Sequence, residues 1–475
     1  MLFSEPIFLF FFLPAVLGLY FVLPARLHNA MLLLASLFFY GWGEPKLFLL
    51  LPVCITLNWW FGLWIGRTRG TPRGRRALFV AVAVNLGILV VFKYADFVVD
   101  NVDALLQAVG VRALPRPHIA LPLGVSFFTF QAMSYVIDVH RGESPPSKSW
   151  LALATWKSFF PQLIAGPIVR YRDLREQLAT HAVTRAGFAL GVERFVVGLA
   201  KKMVVANTVA VPADRIFALP PAELSTATAW LAVVCYAVQI YFDFSGYSDM
   251  AIGLGHMFGF RLKENFAYPY ASRSITEFWR RWHISLSSWF RDYLYIPLGG
   301  NRGKPWRTWF NLLTVFALCG FWHGASWVFV VWGLFHGAFL VLERLGLGRA
   351  LERLGAPLCR VYTLVVVLAG WVFFRAETLP SAVGILRTMA GLGGARPLAQ
   401  PAALFVDPRL VLALVAGAIG SAPFVPWLKG VVARGSTPVR HIAVTAGAAC
   451  VGFLLVVSAM LMAAGTYNPF IYFRF

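Results

Sequence analysis

Long apolar runs dominate the chain, among them "IFLFFFLPAVLGLYFVL" (7–23), "ALFVAVAVNLGILVVF" (77–92), "VYTLVVVLAGWVFF" (361–374) and "HIAVTAGAACVGFLLVVSAMLMAAG" (441–465). A helix crossing the hydrocarbon layer needs about 20 such residues, and lipid leaves no other way to satisfy an open backbone than helix. The pattern predicts an all-α polytopic membrane protein of roughly ten to twelve spanning or half-spanning helices. The first run carries only Glu5 ahead of it and no basic region, so it is expected to remain as a span. No soluble segment interrupts the pattern, which makes 1–475 one membrane domain in expectation.

The centre reads differently from the flanks. Between about 160 and 345 the apolar runs are broken by "PQLIAGPIVRYRDL", "YFDFSGYSDMAIG" and "ENFAYPYASRSITEFWRRWHISLSSWFRDYLYIPLGGNRG". Polar and irregular chain at membrane depth is tolerated only inside protein or along an aqueous cavity, so this region is the expected functional core. Within it, Ser274 and Glu277 have capping-box spacing, and apolar residues at helical spacing predict one amphipathic helix over 274–294. On that helix Trp279, His283, Leu286 and Phe290 share a stripe, with Arg280, Ser287 and Arg291 turned away from it. Two readings follow: a membrane-surface helix with a satisfied histidine, or an active-site wall whose basic side holds the phosphates of a thioester donor.

The stretch "LCGFWHGASWVFVVWGLFHG" (318–337) carries His323 and His336. On one continuous helix they stand about 220° and about 20 Å apart, too far to share a metal or a proton; Gly320, Gly324 and Gly333 are the places where the run could break, and separate jobs for the two histidines are the default. An ionisable group inside the membrane marks function by default, which favours His323 beside Gly324. His336 is expected to be a packing or interfacial residue nearer the membrane boundary.

Charge then narrows the classes. The chain has 42 Lys and Arg against 21 Asp and Glu, a formal charge of +21 with only 13% charged residues. In so apolar a chain that excess belongs to short cytoplasmic loops, not to nucleic-acid binding. Placing "RTRGTPRGRR" (67–76) inside puts the N-terminus on the outer side. The five cysteines are scattered singly and read as small buried hydrophobes. Neither HExxH nor a Cys/His cluster is present, so no metal site is expected, and "DFSGYSDM" lacks the GxSxG elbow of a serine hydrolase. Its Asp243, Ser245, Ser248 and Asp249 read as a buried polar network. With Asp138 and the histidines these acids leave a proton-coupled transporter as the alternative of a different class.

The runs "YFDFSGYSDMAIGLG", "ENFAYPYASRSITEFWRRWHISLSSWFRDYLYIPLGGNRG" and "GFWHGASWVFVVWGLFHG", with the opening "MLFSEPIFLFFFLPAVLGLYF" and the closing "YNPFIYFRF", resemble the membrane-bound O-acyltransferase (MBOAT) family, in its bacterial alginate O-acetyltransferase branch. The resemblance runs nearly end to end. It implies an inner-membrane enzyme with helices around a central tunnel, moving an acetyl group from a cytoplasmic thioester such as acetyl-CoA toward an exported polysaccharide, with no bound cofactor. His323 matches the family's near-invariant histidine and His283 its second motif histidine. The resemblance also implies a periplasmic acetyl-transferring partner and a polysaccharide-secretion complex. Alginate, cellulose and other secreted polymers remain open as the acceptor system. Arg280, Arg281 and Arg291, with Arg261 and Lys263, are the candidates for donor phosphates, against plain positive-inside bias.

Overall fold

The computed structural model describes residues 1–110, 114–393, 399–465 and 467–469; of the closing motif, only Tyr467, Asn468 and Pro469 fall among them. The described residues form helices and connections, with one isolated β-bridge between Leu224 and Gln400. Among them six helices are long and apolar enough to cross a membrane: Pro72–Ala108, Arg185–Phe217, Thr226–Met257, Trp327–Leu354, Ala356–Arg375 and Thr437–Ala463. A seventh candidate is the pair Pro408–Ser421 and Phe424–Arg434, bent by 64°. The chain is therefore an all-α polytopic membrane protein. Two apolar runs that hydropathy counts as spans fold as shorter helices, Phe8–Val22 and His28–Gly43, and the 19-residue helix Leu50–Thr68 is long enough but is not among the six.

The chain divides into two compact units, Met1–Val192 with Ala251–Lys263, and Glu193–Met250 with Glu264–Phe475. In the first, Phe3, Phe8, Phe12, Phe39 and Phe160 form a knot of rings with centroids 4.8 to 6.5 Å apart. Asn58 and Asn85 exchange amide hydrogen bonds at 3.1 and 2.9 Å, joining helices Leu50–Thr68 and Pro72–Leu89 by the polar contact that replaces a hydrophobic driving force in lipid. Helix Val125–Arg141 is buried on all faces apart from Ile137, His140 and Arg141, and it takes Ser126, Thr129, Gln131, Ser134 and Asp138 into the interior with its apolar residues.

In the second unit, the part of helix Thr226–Met257 up to Met250 carries the polar run "DFSGYSDM" through protein. Asp243 pairs with Lys202 at 2.6 Å, and Asp249 with Arg194 at 2.7 Å and Lys201 at 2.6 Å. Ser248 accepts from Asn265 at 3.1 Å. The run is buried and polar as anticipated, but Asp243, Ser248 and Asp249 find their partners outside it and the Ser245 hydroxyl has none among the described residues, so the four residues do not form a network of their own. Helix Thr437–Ala463 is the opposite case: it is exposed along nearly its whole length, with Ile442, Val444, Phe453, Val456 and Met460 pointing outward. At about 1.5 Å per residue it spans about 40 Å, enough for the hydrocarbon layer that solvates such a surface. Four cysteines are buried, but Cys450 lies exposed on this helix, so the expectation that all five are buried fails there.

The largest departure from sequence periodicity is at 318–337. Helix Pro305–His323 ends at the histidine, Gly324 and Ala325 turn the chain, and Ser326 caps a returning helix, Trp327–Leu342, by accepting from Val328. Gly320 and Gly333 let the two backbones meet: a Cβ on Gly320 would lie 2.1 Å from the Phe329 carbonyl oxygen, and one on Gly333 2.0 Å from that of Phe316. The continuous-helix separation of the two histidines therefore does not apply. His336 is fully buried in mid-helix, as a packing residue is.

Candidate active site

The second predicted helix breaks as well. Ser274 accepts from the Glu277 amide at 3.0 Å and Glu277 accepts from the Arg273 amide at 2.8 Å, so the N-terminal cap forms much as its spacing predicts. Helix Ile275–Arg281 then stops, Trp282 is extended, and His283 adopts φ 43° and ψ 55° before helix Ile284–Phe290. Neither Gly nor Pro causes this. The cause is the segment 265–267, which runs beside the break: Ala267 donates to the Arg281 carbonyl at 3.0 Å, and Ile284 donates to that of Asn265 at 2.9 Å. A pattern that repeats through 274–294 is overridden by backbone pairing to a distant segment.

His283 is 1% exposed and sits edge-on to Phe244 at 4.6 Å, with Trp322 at 6.5 Å. It thus lies among aromatics as expected, placed there by the break and not by a helical stripe. Burial pushes its imidazolium down to about 3, so the ring is neutral at ordinary pH. Its Nδ1 lies 3.1 Å from Asn265 Oδ1.

His323 is 7% exposed and boxed by Trp322, Trp332 and Phe374 at centroid distances of 4.9, 5.2 and 5.2 Å. Trp332 also packs on His336 at 5.3 Å, so the hairpin sets the two imidazoles against one indole. Trp279 and Phe278 lie at 5.2 and 6.4 Å from His336, and a Cβ on Gly370 would come 2.5 Å from its Nε2. His283 and His323 in turn both neighbour Trp322.

The basic candidates differ in what they line; pairing does not divide them, since Arg291 also pairs with Asp292 at 2.7 Å. Arg280 and Arg291 line one cavity of about 500 Å³ together with Arg344, Thr276, Ser287 and Ser288. Its apolar wall includes Trp279, Phe316 and Cys319, and Cys319 precedes His323 by one helical turn, about 6 Å along the axis. A volume of this size suits a small-molecule group. Arg281 is not among the lining residues; it pairs with Glu277 at 2.6 Å and donates to the Ala267 carbonyl. Lys263 pairs with Asp173 in the first unit, and the Arg261 amide donates to Gln177.

Three residues that sequence reasoning passed over help build this site. Arg344 completes the basic rim. Glu343, buried beside it, accepts from the Ile275 and Thr276 amides at 2.6 and 3.0 Å, the Thr276 hydroxyl at 2.6 Å and Tyr362 at 3.2 Å. It anchors the start of the helix that carries Trp279 and Arg280. An acid closing the run "FLVL" was a readable signal; nothing in "ENFAYPY" singled out Asn265. Among the described residues no three His, Cys, Asp or Glu side chains gather as a metal-ligand set.

Comparison with known proteins bears on this arrangement. Residues 127–350, which hold His283, His323 and His336, the arginine rim, Asn265 and Glu343, match the membrane-bound O-acyltransferase family. The chain is 42% identical to a probable alginate O-acetylase, AlgI, of Azotobacter vinelandii over the full length of both proteins. It is 47% identical to the probable alginate O-acetylase AlgI of Pseudomonas aeruginosa over 83% of this chain and 75% of that one. A peptidoglycan O-acetyltransferase of Helicobacter pylori is 38% identical over 83% of this chain and 80% of its own. With its apolar helices, a family match over residues 127–350 and 42% identity over the full length of the Azotobacter vinelandii protein, the chain belongs to the membrane-bound O-acyltransferase family and is a membrane-bound acyltransferase.

Proposed function

We propose that this protein is an inner-membrane O-acetyltransferase that takes acetyl from a cytoplasmic thioester, acetyl-CoA, and delivers it across the membrane for O-acetylation of a secreted polysaccharide such as alginate. The observation that carries the reading is the arginine-rimmed cavity whose apolar wall reaches to within one helical turn of His323. Positive charge at the mouth suits the donor's phosphates, and an apolar wall suits its uncharged thioester arm. The relatives' names, alginate O-acetylase and peptidoglycan O-acetyltransferase, supply the polymer class.

In this reading the N-terminus is periplasmic and the helices enclose a path between the two faces. His323 takes the proton of the acceptor hydroxyl as its oxygen attacks the acetyl carbonyl. The carbon–sulfur bond breaks, and the thiolate leaves and recovers a proton. His283 stands on the donor's approach. The acceptor hydroxyl belongs to a periplasmic acetyl-transferring partner working with the secretion complex, or to the sugar itself. Acetyl trapped on His323 when acceptor is withheld would replace direct transfer with an acetyl-imidazole route.

Purified protein in detergent is expected to turn over acetyl-CoA without any ion gradient. A requirement for sealed, energised vesicles would favour the transporter alternative instead. Against a proton relay, Asp138, Asp243 and Asp249 are each held by an arginine or lysine. Neutralising Arg280, Arg291 or Arg344 singly to Gln should raise the apparent KM for acetyl-CoA about three- to tenfold, modest because each sits at a wet rim. Arg281→Gln, whose parent side chain serves Glu277, is the internal comparison. Equal effects at all four positions would mean that charge orients the chain and does not bind donor.

A further inference from the structure

Asn265 stands at the centre of the break that carries His283. The residue that opens helix Ile284–Phe290 is His283 itself, and its side chain gives the helix no cap. Asn265 replaces that cap from outside: its backbone carbonyl takes the Ile284 amide at 2.9 Å and its side-chain oxygen takes the Ser285 amide at 3.2 Å. Both amides are among the unsatisfied donors at the start of a helix. The histidine ring is thereby released from the local duty that a residue in its position usually performs.

The same contacts decide where the proton on His283 lies. A backbone N–H only donates, so the Asn265 atom facing Ser285 is the carbonyl oxygen and not the amide nitrogen. The opposite end agrees, with Nδ2 donating to Ser248 Oγ at 3.1 Å. The Ser285 hydroxyl donates to that same oxygen at 2.9 Å, closer than its 3.4 Å approach to the ring. A carbonyl oxygen 3.1 Å from Nδ1 is a hydrogen bond only if Nδ1 carries hydrogen; otherwise two lone pairs face each other in a buried site.

We infer that Asn265 is a positioning residue that locks His283 as the tautomer protonated on Nδ1, so that Nε2 presents the lone pair. That assigns His283 an accepting nitrogen, fit to hold or receive a proton at Nε2 and unfit to donate from it. The functional consequence rests on the proposed role of His283 in acetyl transfer; the tautomer itself does not.

The test is nitrogen-15 NMR of histidine-labelled full-length protein in detergent, with the His283 signals identified by their loss in His283→Gln. Wild type should show a protonated, pyrrole-like Nδ1 and an unprotonated, pyridine-like Nε2. Asn265→Leu should mix or reverse the two, whereas Asn265→Asp, which keeps every acceptor contact, should retain the wild-type pattern. Protonated Nε2 in wild type, or an unchanged tautomer in Asn265→Leu, overturns the inference. Turnover separates this from the wider reading. Asn265→Leu should lower kcat at least tenfold with the KM for acetyl-CoA little changed, and Asn265→Asp should recover part of it. A tautomer that shifts as expected with kcat unaltered would uphold the assignment and remove His283 from the reaction.

Discussion

Replacing His323 by Ala is expected to lower acetyl transfer by about 10²- to 10⁴-fold, the range that a positioned general base supplies, while the protein still inserts and purifies at a normal level. The expectation rests on where the ring sits. It closes helix Pro305–His323, is 7% exposed, and packs against the rings of Trp322, Trp332 and Phe374. Removing a ring from that box also leaves a void, so His323→Gln, which keeps more of the volume, is the companion variant. Both should fail in the same two assays, acetylation of polymer in cells and acetyl-CoA turnover by purified protein. Turnover within about threefold of wild type in a correctly inserted variant would exclude His323 from general-base work of the size above. His336→Phe makes the comparison sharp. It keeps an aromatic ring between Trp279 and Trp332, and it should lose only a small fraction of what His323→Ala loses.

Much of this architecture could be read from one chain. The apolar runs announced the helices, and Ser274 with Glu277 announced where the central helix starts. Period alone also grouped Arg280 with Arg291, and the two do share a cavity. Adjacent residues on a helix point about 100° apart, which is why Arg280 lines the cavity and Arg281 turns to Glu277.

Two of the misreadings concern breaks, and the first of these breaks is made by residues remote from it. At Trp282–His283 the helical period continues unbroken in the sequence. Only the partner strand of backbone at 265–267 makes an extended residue and a left-handed histidine cheaper than another turn of helix. At 324–326 the local signal was present, since Ser326 is a natural N-cap after Gly324. Apolar residues on both sides concealed it, because a buried hairpin and a single long span have the same hydropathy. The burial of His336 followed from that fold-back and was invisible without it.

The second large effect should come from the hairpin itself. Gly333→Ala is expected to cost about 1–3 kcal/mol of stability, and Gly333→Val to prevent accumulation of folded protein. The reason is the identity of the obstacle. The added Cβ meets the Phe316 carbonyl oxygen at 2.0 Å, and at Gly320 it meets that of Phe329 at 2.1 Å. Backbone within a helix cannot swing aside as a side-chain tip can, so the helices must separate. Close approach through small residues is how helices gain packing energy in lipid, where apolar surface alone gives none. Gly87, Gly447 and Gly452 provide the contrast: a Cβ there meets nothing within 4 Å. Ala at those positions should be neutral or stabilising by up to about 1 kcal/mol, since Ala is the better helix former. Thermal unfolding in detergent, read beside elution as a single species, checks both arms. A Gly333→Ala midpoint equal to wild type would mean that the helices are not in contact there. Gly320 adds a functional reading, because it precedes His323 by less than one turn. Gly320→Ala moves the turn that aims the imidazole at Trp332, so kcat should fall at temperatures where the protein is still folded.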